Sequence, residues 1–228
     1  MKKKTLRVYR KSVSIVDESA VTIYQNLGAE KVGFLMESTD KENDSYTFMG
    51  VEPDALIQSD KDSLVITYND GRREVMKGNP LELLKEFYSQ FDVLPSESEL
   101  EFNGGLVGSL GYDFIRYTEK LPDDNPDEIG IETIQLMLTT KFIAIDHNAE
   151  VMTAVVLDED NDEGTQRALE AANELLKRDS SGEHKEDLDK KYVHDGVIIH
   201  KSDTLDDYTK KVNKIKQYIV DGHIFQTV

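Results

Sequence analysis

The 228-residue chain has no cysteine. That excludes disulfides, thiolate nucleophiles and cysteine-ligated metals. It also lacks any apolar run near the ~20 residues that a membrane-spanning helix needs. The start, Met1-Lys-Lys-Lys-Thr5, is basic, but Arg7, Arg10 and Lys11 interrupt the next stretch and no apolar signal core develops. Basic residues are scarce: 27 Lys and Arg face 45 Asp and Glu, a formal charge of −18. Such a surface repels nucleic acid and anionic membranes, so neither is expected as a partner. The cytoplasm is the expected compartment.

Metal and nucleotide signatures are missing too. The five histidines, His147, His184, His194, His200 and His223, form no His-x-x-x-His pair and no His-Glu-x-x-His helix. Asp158, Asp160 and Asp162 begin like a calcium loop. Its sixth and twelfth positions, however, are Glu163 and Leu169, where a glycine and a bidentate glutamate belong. The stretch reads as a solvated acidic connection. Gly105, Gly108 and Gly111 lack the Lys-Ser/Thr of a phosphate loop and any strand-to-helix turn. Glycine inside a strand marks a bulge or a close backbone approach instead.

The chain does carry a clear succession of strands and helices, long enough for one large domain or two small ones. A short helix is expected over 17–27, with Asp17 as cap and Ala20, Ile23, Tyr24 and Leu27 on one face. Strands are expected near 32–37, 46–49, 55–59 and 63–68, and Asn69-Asp70-Gly71 turns into 72–76. Asn79-Pro80 opens a helix whose apolar stripe runs from Leu81 to Phe91. Residues 104–112 form a glycine-rich strand. Residues 132–146 and 150–157 read as one long hairpin. Asn161 or Thr165 starts a third helix, and Thr204 caps a last one with Tyr208, Val212, Ile215 and Ile219 on its buried face. His223 to Val228 reads as a strand just starting. Asp113, Arg116 and Glu119 are placed to form an ion-pair cluster.

The most informative chemistry lies at Phe34-Leu-Met-Glu-Ser38. An apolar strand ends abruptly in a carboxylate and a hydroxyl. Glu37 can hold an ammonium group, and Ser38 can hydrogen-bond it or a carboxylate. The bland reading is a strand simply leaving its sheet.

Three segments, taken together, resemble the anthranilate synthase large-subunit (component I) family, which uses chorismate and also includes aminodeoxychorismate synthase. The first is Phe34 to Ser38 with Tyr46-Thr-Phe-Met-Gly50. The second is Gly104-Gly-Leu-Val-Gly-Ser-Leu-Gly-Tyr-Asp113 with Arg116, Glu119 and Leu121-Pro122. The third is Tyr218-Ile-Val-Asp-Gly-His-Ile-Phe-Gln226. They occur in family order over nearly the whole chain. Ser45 departs from the pattern, standing where the family often has arginine.

The resemblance implies an α+β fold of mostly antiparallel sheets packed in layers with outer helices, part of a four-layer α/β/β/α arrangement. It implies a regulatory N-terminal domain over 1–180, a linker over 181–196, and over 197–228 the start of a truncated chorismate-binding catalytic domain. Met36, Glu37 and Ser38 would then belong to an L-tryptophan feedback site. The implied reaction is conversion of chorismate and glutamine or ammonia to anthranilate and pyruvate. It would need Mg²⁺ and a glutamine amidotransferase partner, component II, with no catalytic or metal residue assigned in this chain. The family's chorismate and magnesium residues lie beyond the matching positions, so a piece of a larger subunit is expected, inactive alone. A homo-oligomer is compatible with this reading. The alternatives are an aminodeoxychorismate synthase component I-like subunit and a stand-alone amino-acid-binding regulatory module.

Overall fold

The computed structural model describes residues 3–15, 19–38, 46–60, 62–96, 100, 102–124, 126–177 and 201–227. The chain divides into two compact units, Met1–Gly182 and Glu183–Val228. The expected linker over 181–196 falls outside the described residues.

In the first unit the elements run β1 (Lys4–Ser14), α1 (Ala20–Gly28), β2 (Gly33–Glu37), β3 (Tyr46–Val51), β4 (Ala55–Asp60), β5 (Ser63–Tyr68) and β6 (Arg73–Lys77). They continue as α2 (Pro80–Tyr88), β7 (Phe91–Val93), β8 (Gly105–Leu110), a 3-10 helix (Tyr112–Tyr117), β9 (Ile134–Thr139), β10 (Lys141–Asp146), β11 (Val151–Glu159) and α3 (Asp162–Leu175). One sheet has the order β2-β3-β10-β11-β1-β7, the other β6-β5-β4-β9-β8. Every pairing is antiparallel except β1 with β7.

Strand alternation builds the layers, because successive side chains point to opposite faces. Phe34, Phe142, Val155 and Leu157 of the six-stranded sheet pack with Val107 and Met137 of the five-stranded sheet, forming the core between them. The alternate residues Met49, Ile143, Ile145 and Met152 carry α1. Ala154 and Val156 carry α3 through Ala168 and Ala172. On the far face of the five-stranded sheet, Ile57, Leu64, Ile66 and Leu136 pack with Phe87 of α2. Helices, sheet, sheet and helix make four layers, in line with the expected α+β fold.

Several local expectations need correction. Ser19, not Asp17, caps α1, its Oγ accepting from the Thr22 N–H at 3.1 Å; Asp17 lies outside the described residues. The run 132–146 is not one strand. It breaks at Thr140, whose N–H and hydroxyl both donate to Asp54 Oδ2, so β9 and β10 belong to different sheets. Phe91 belongs to β7 and not to the α2 stripe. Gly108, at φ 150°, does mark a close approach: a Cβ there would sit 2.1 Å from the Gln135 carbonyl oxygen.

The second unit contains α4 (Leu205–Val220), with the Thr204 hydroxyl accepting from the Asp207 N–H at 3.2 Å. None of its residues is fully buried: of the expected face, Val212 and Ile215 are half-buried and Tyr208 and Ile219 exposed. Residues 223–227 form no strand; a strand needs a ladder partner, and the described residues of this unit supply only a helix.

Candidate functional site

β2 is an edge strand, held on one side by β3 with Met36 opposite Phe48 and Glu37 opposite Thr47. The Ser38 N–H continues this ladder, donating to the Tyr46 carbonyl at 3.0 Å. The pleat then sorts the three candidate residues. Phe34 lies in the core between the sheets, so Met36 shares the inter-sheet face. Leu35 packs with α1, so Glu37 lies on the helix-bearing face. Ser38 returns to the Met36 side by the same period. Hydroxyl and thioether therefore share one face, and the carboxylate reaches a common ligand only around the strand end.

All three residues are exposed, Met36 at 55%. Among the described residues, neither the Glu37 carboxylate nor the Ser38 hydroxyl has a side-chain partner, which leaves both available to a ligand.

Each face carries its own support. On the inter-sheet side, Tyr46 and Phe48 stack with centroids 5.9 Å apart. Phe48 meets Phe102 edge-on at 5.6 Å, and Phe102 lies 4.8 Å from Phe142. These rings fix an aromatic platform beside Met36, suited to a flat apolar group. The Tyr46 hydroxyl donates to Asp146 Oδ2 at 3.1 Å, tying β3 to the end of β10. On the other side, buried Thr47, the cross-strand partner of Glu37, meets His147 Nε2 at 2.7 Å. The sequence alone gives Tyr46, Phe48 and Phe102 no site role. The Tyr46-x-Phe48 alternation is an available signal for two of them; nothing local marks Phe102.

The glycine strand ends differently. Arg116 donates to Asp113 at 2.7 Å and to the carbonyls of Leu121 and Pro122 at 3.3 and 2.6 Å. The Asp113 hydrogen bond raises the Arg116 pKa. Glu119, expected in this cluster, forms no ion pair with Arg116. The arrangement pins a loop and has the form of a structural clamp. The acidic stretch at the end of β11 is likewise consumed locally. Asp158 pairs with Arg167, Asp160 with Arg7, and Asn161 caps α3. Among the described residues, no three Asp, Glu or His side chains converge as metal ligands would. Those residues do not fit a magnesium site. No described helix is long and apolar enough to cross a membrane.

Known proteins are similar to this chain in sequence and in fold. Anthranilate synthase component 1 of Acetivibrio thermocellus is 27% identical over 92% of this chain and 44% of its own length. Aminodeoxychorismate synthase component 1 of Bacillus subtilis is 25% identical over 79% of this chain and 38% of its own length. The chain thus spans less than half the length of these curated relatives. The crystal structure of anthranilate synthase component I from Streptococcus pneumoniae superposes with a TM-score of 0.52. It shares 21% identity and covers 92% of this chain and 45% of that one, a likeness of fold. Residues 32–228 match the family model for chorismate binding enzymes, and the chain belongs to that family.

Proposed function

We propose that this chain serves in an anthranilate synthase component I. The reaction would convert chorismate and glutamine or ammonia to anthranilate and pyruvate, a lyase step of tryptophan biosynthesis. A glutamine amidotransferase, component II, would deliver the ammonia, and the Mg²⁺ the family reaction calls for would be held by residues other than the described ones. The observation that carries this reading is the alignment of nearly the whole chain with relatives named anthranilate synthase component 1. Phe225-Gln226 adds support, since the aminodeoxychorismate branch more often has Tyr-Gln there. No residue of this chain is given a catalytic role, and the 228 residues alone are expected to leave chorismate unchanged.

Within that activity the end of β2 is read as part of the L-tryptophan feedback site. Glu37 would take the ammonium group and Ser38 the amino-acid end. Met36 and the Tyr46–Phe48 rings would flank the indole. The free carboxylate and hydroxyl support this reading. Cytoplasmic location accompanies the biosynthetic role.

Product analysis tests the proposal. The natural gene product carrying these residues, given chorismate, ammonia and magnesium, should accumulate fluorescent anthranilate. Accumulation of aminodeoxychorismate would move the assignment to the sister branch, which the Bacillus subtilis relative keeps as the second reading.

A further inference from the structure

A cleft lies at the other end of β2. Val32 precedes the strand and Glu37 ends it, so the two are about 16 Å apart at 3.3 Å per residue. There a cleft of about 520 Å³ is lined from both sheets. Val32, Pro53 and Leu56 supply apolar surface, and Thr67 and Asn69 supply neutral hydrogen-bonding groups. The volume falls in the range of about 300–1,000 Å³ that small-molecule sites occupy.

The charges of the lining single out one group. Lys31 Nζ pairs with Glu52 Oε2 at 3.0 Å, so those two charges offset each other. Asp54, beside Pro53, keeps its charge but does not line the cleft; its Oδ2 accepts from the Thr140 N–H and hydroxyl. Lys141 lines the same cleft, is only partly exposed, and has no carboxylate partner among the described residues. In a chain of formal charge −18, a half-buried lysine without a carboxylate partner is a place where an anion can be held.

We propose that this cleft binds a small organic monoanion with an apolar body, of the aromatic monocarboxylate class. Its carboxylate meets Lys141, and its ring covers Val32, Pro53 and Leu56. The two lysines and one glutamate leave a single positive charge, which matches a monoanion better than a dianion. This site is separate from the strand end at Glu37 and does not depend on the activity proposed above.

Titrations followed by amide chemical shifts test it, with benzoate, its neutral analogue benzamide and inorganic phosphate as probes. Benzoate should give saturable shifts confined to Val32, Leu56, Thr67 and Asn69. Benzamide should bind about ten-fold more weakly, the size expected when one charge-assisted contact is lost. Phosphate, lacking the apolar body, should give no saturable shift there. Lys141→Gln should weaken benzoate to the benzamide level, Lys141→Arg should restore it, and Glu37→Gln should leave it unchanged. Equal binding of benzoate and benzamide to the wild-type chain would overturn the proposal, whatever the variants do. So would saturable phosphate binding at these residues, or benzoate shifts located elsewhere.

Discussion

α3 and α4 obey the same local rules and reach different ends. Both are capped by a side chain: Asn161 accepts from the Gly164 N–H at 2.7 Å, and Thr204 from the Asp207 N–H at 3.2 Å. Both carry two acidic residues in the first turn, where the helix dipole favours them. Yet α3 buries Gly164, Ala168 and Ala172 against the six-stranded sheet, whereas α4 has no fully buried residue, only the half-buried Val212 and Ile215. Capping and periodicity fix where a helix forms; a facing sheet decides whether its apolar stripe is covered. The small residues of α3 are the mark of that closeness, since a Cβ on Gly164 would stand 2.1 Å from the Glu159 carbonyl oxygen.

Removing core that α3's sheet rests on should have the largest effect. Phe142 is fully buried within the Phe48–Phe102 cluster. Phe142→Ala should lower unfolding free energy by about 3–5 kcal/mol, measured by urea denaturation. Gly164→Ala comes next. In an open helix this change stabilises by about 1 kcal/mol. Here the close approach should reverse the sign, costing about 1–3 kcal/mol in the same assay. Cap removal should separate the two helices. Asn161→Ala should cost about 1 kcal/mol in cooperative unfolding, because α3 is packed. Thr204→Ala should appear chiefly as lower helicity over residues 205–220, read from backbone chemical shifts.

The smallest effect is the acid dependence at the start of α3. The hydrogen bond from Arg7 holds the Asp160 carboxyl below its ordinary pKa. A depressed folded pKa stabilises above the unfolded value of about 3.9, and that contribution is lost as pH falls below it. Asp160→Asn should therefore slightly lower the urea midpoint at pH 7, leave it unchanged well below pH 4, and so flatten the fall between the two.

Much of this architecture is legible in the sequence, and the failures have physical causes. β2 to β6, α2 and α3 follow from alternation, turn residues and caps close to where they occur. β1, the longest strand, escapes a sequence reading because Arg7, Arg10 and Lys11 break its apolar pattern. Arg10 is tolerated there because its guanidinium donates to Ser96 and Asn103, partners remote in sequence. Burial nevertheless lowers its pKa. The sheet change at Thr140 is invisible for a similar reason, since its cause is Asp54, 86 residues away. At the candidate site, Glu37 and Ser38 stand out because a strand ends on them. Their separation onto two faces requires the register with β3. The aromatic platform requires Phe102, which only the packing of two sheets brings near.

The central claim, that the end of β2 grips the amino-acid part of L-tryptophan, is tested most directly by inhibition. Anthranilate formation by the natural gene product carrying this chain would be titrated with L-tryptophan, wild type against Ser38→Ala. The account predicts that Ser38→Ala leaves uninhibited turnover unchanged and raises the half-inhibiting tryptophan concentration about ten-fold or more, the equivalent of one lost hydrogen bond to a charged group. Identical inhibition curves for the two proteins would contradict it.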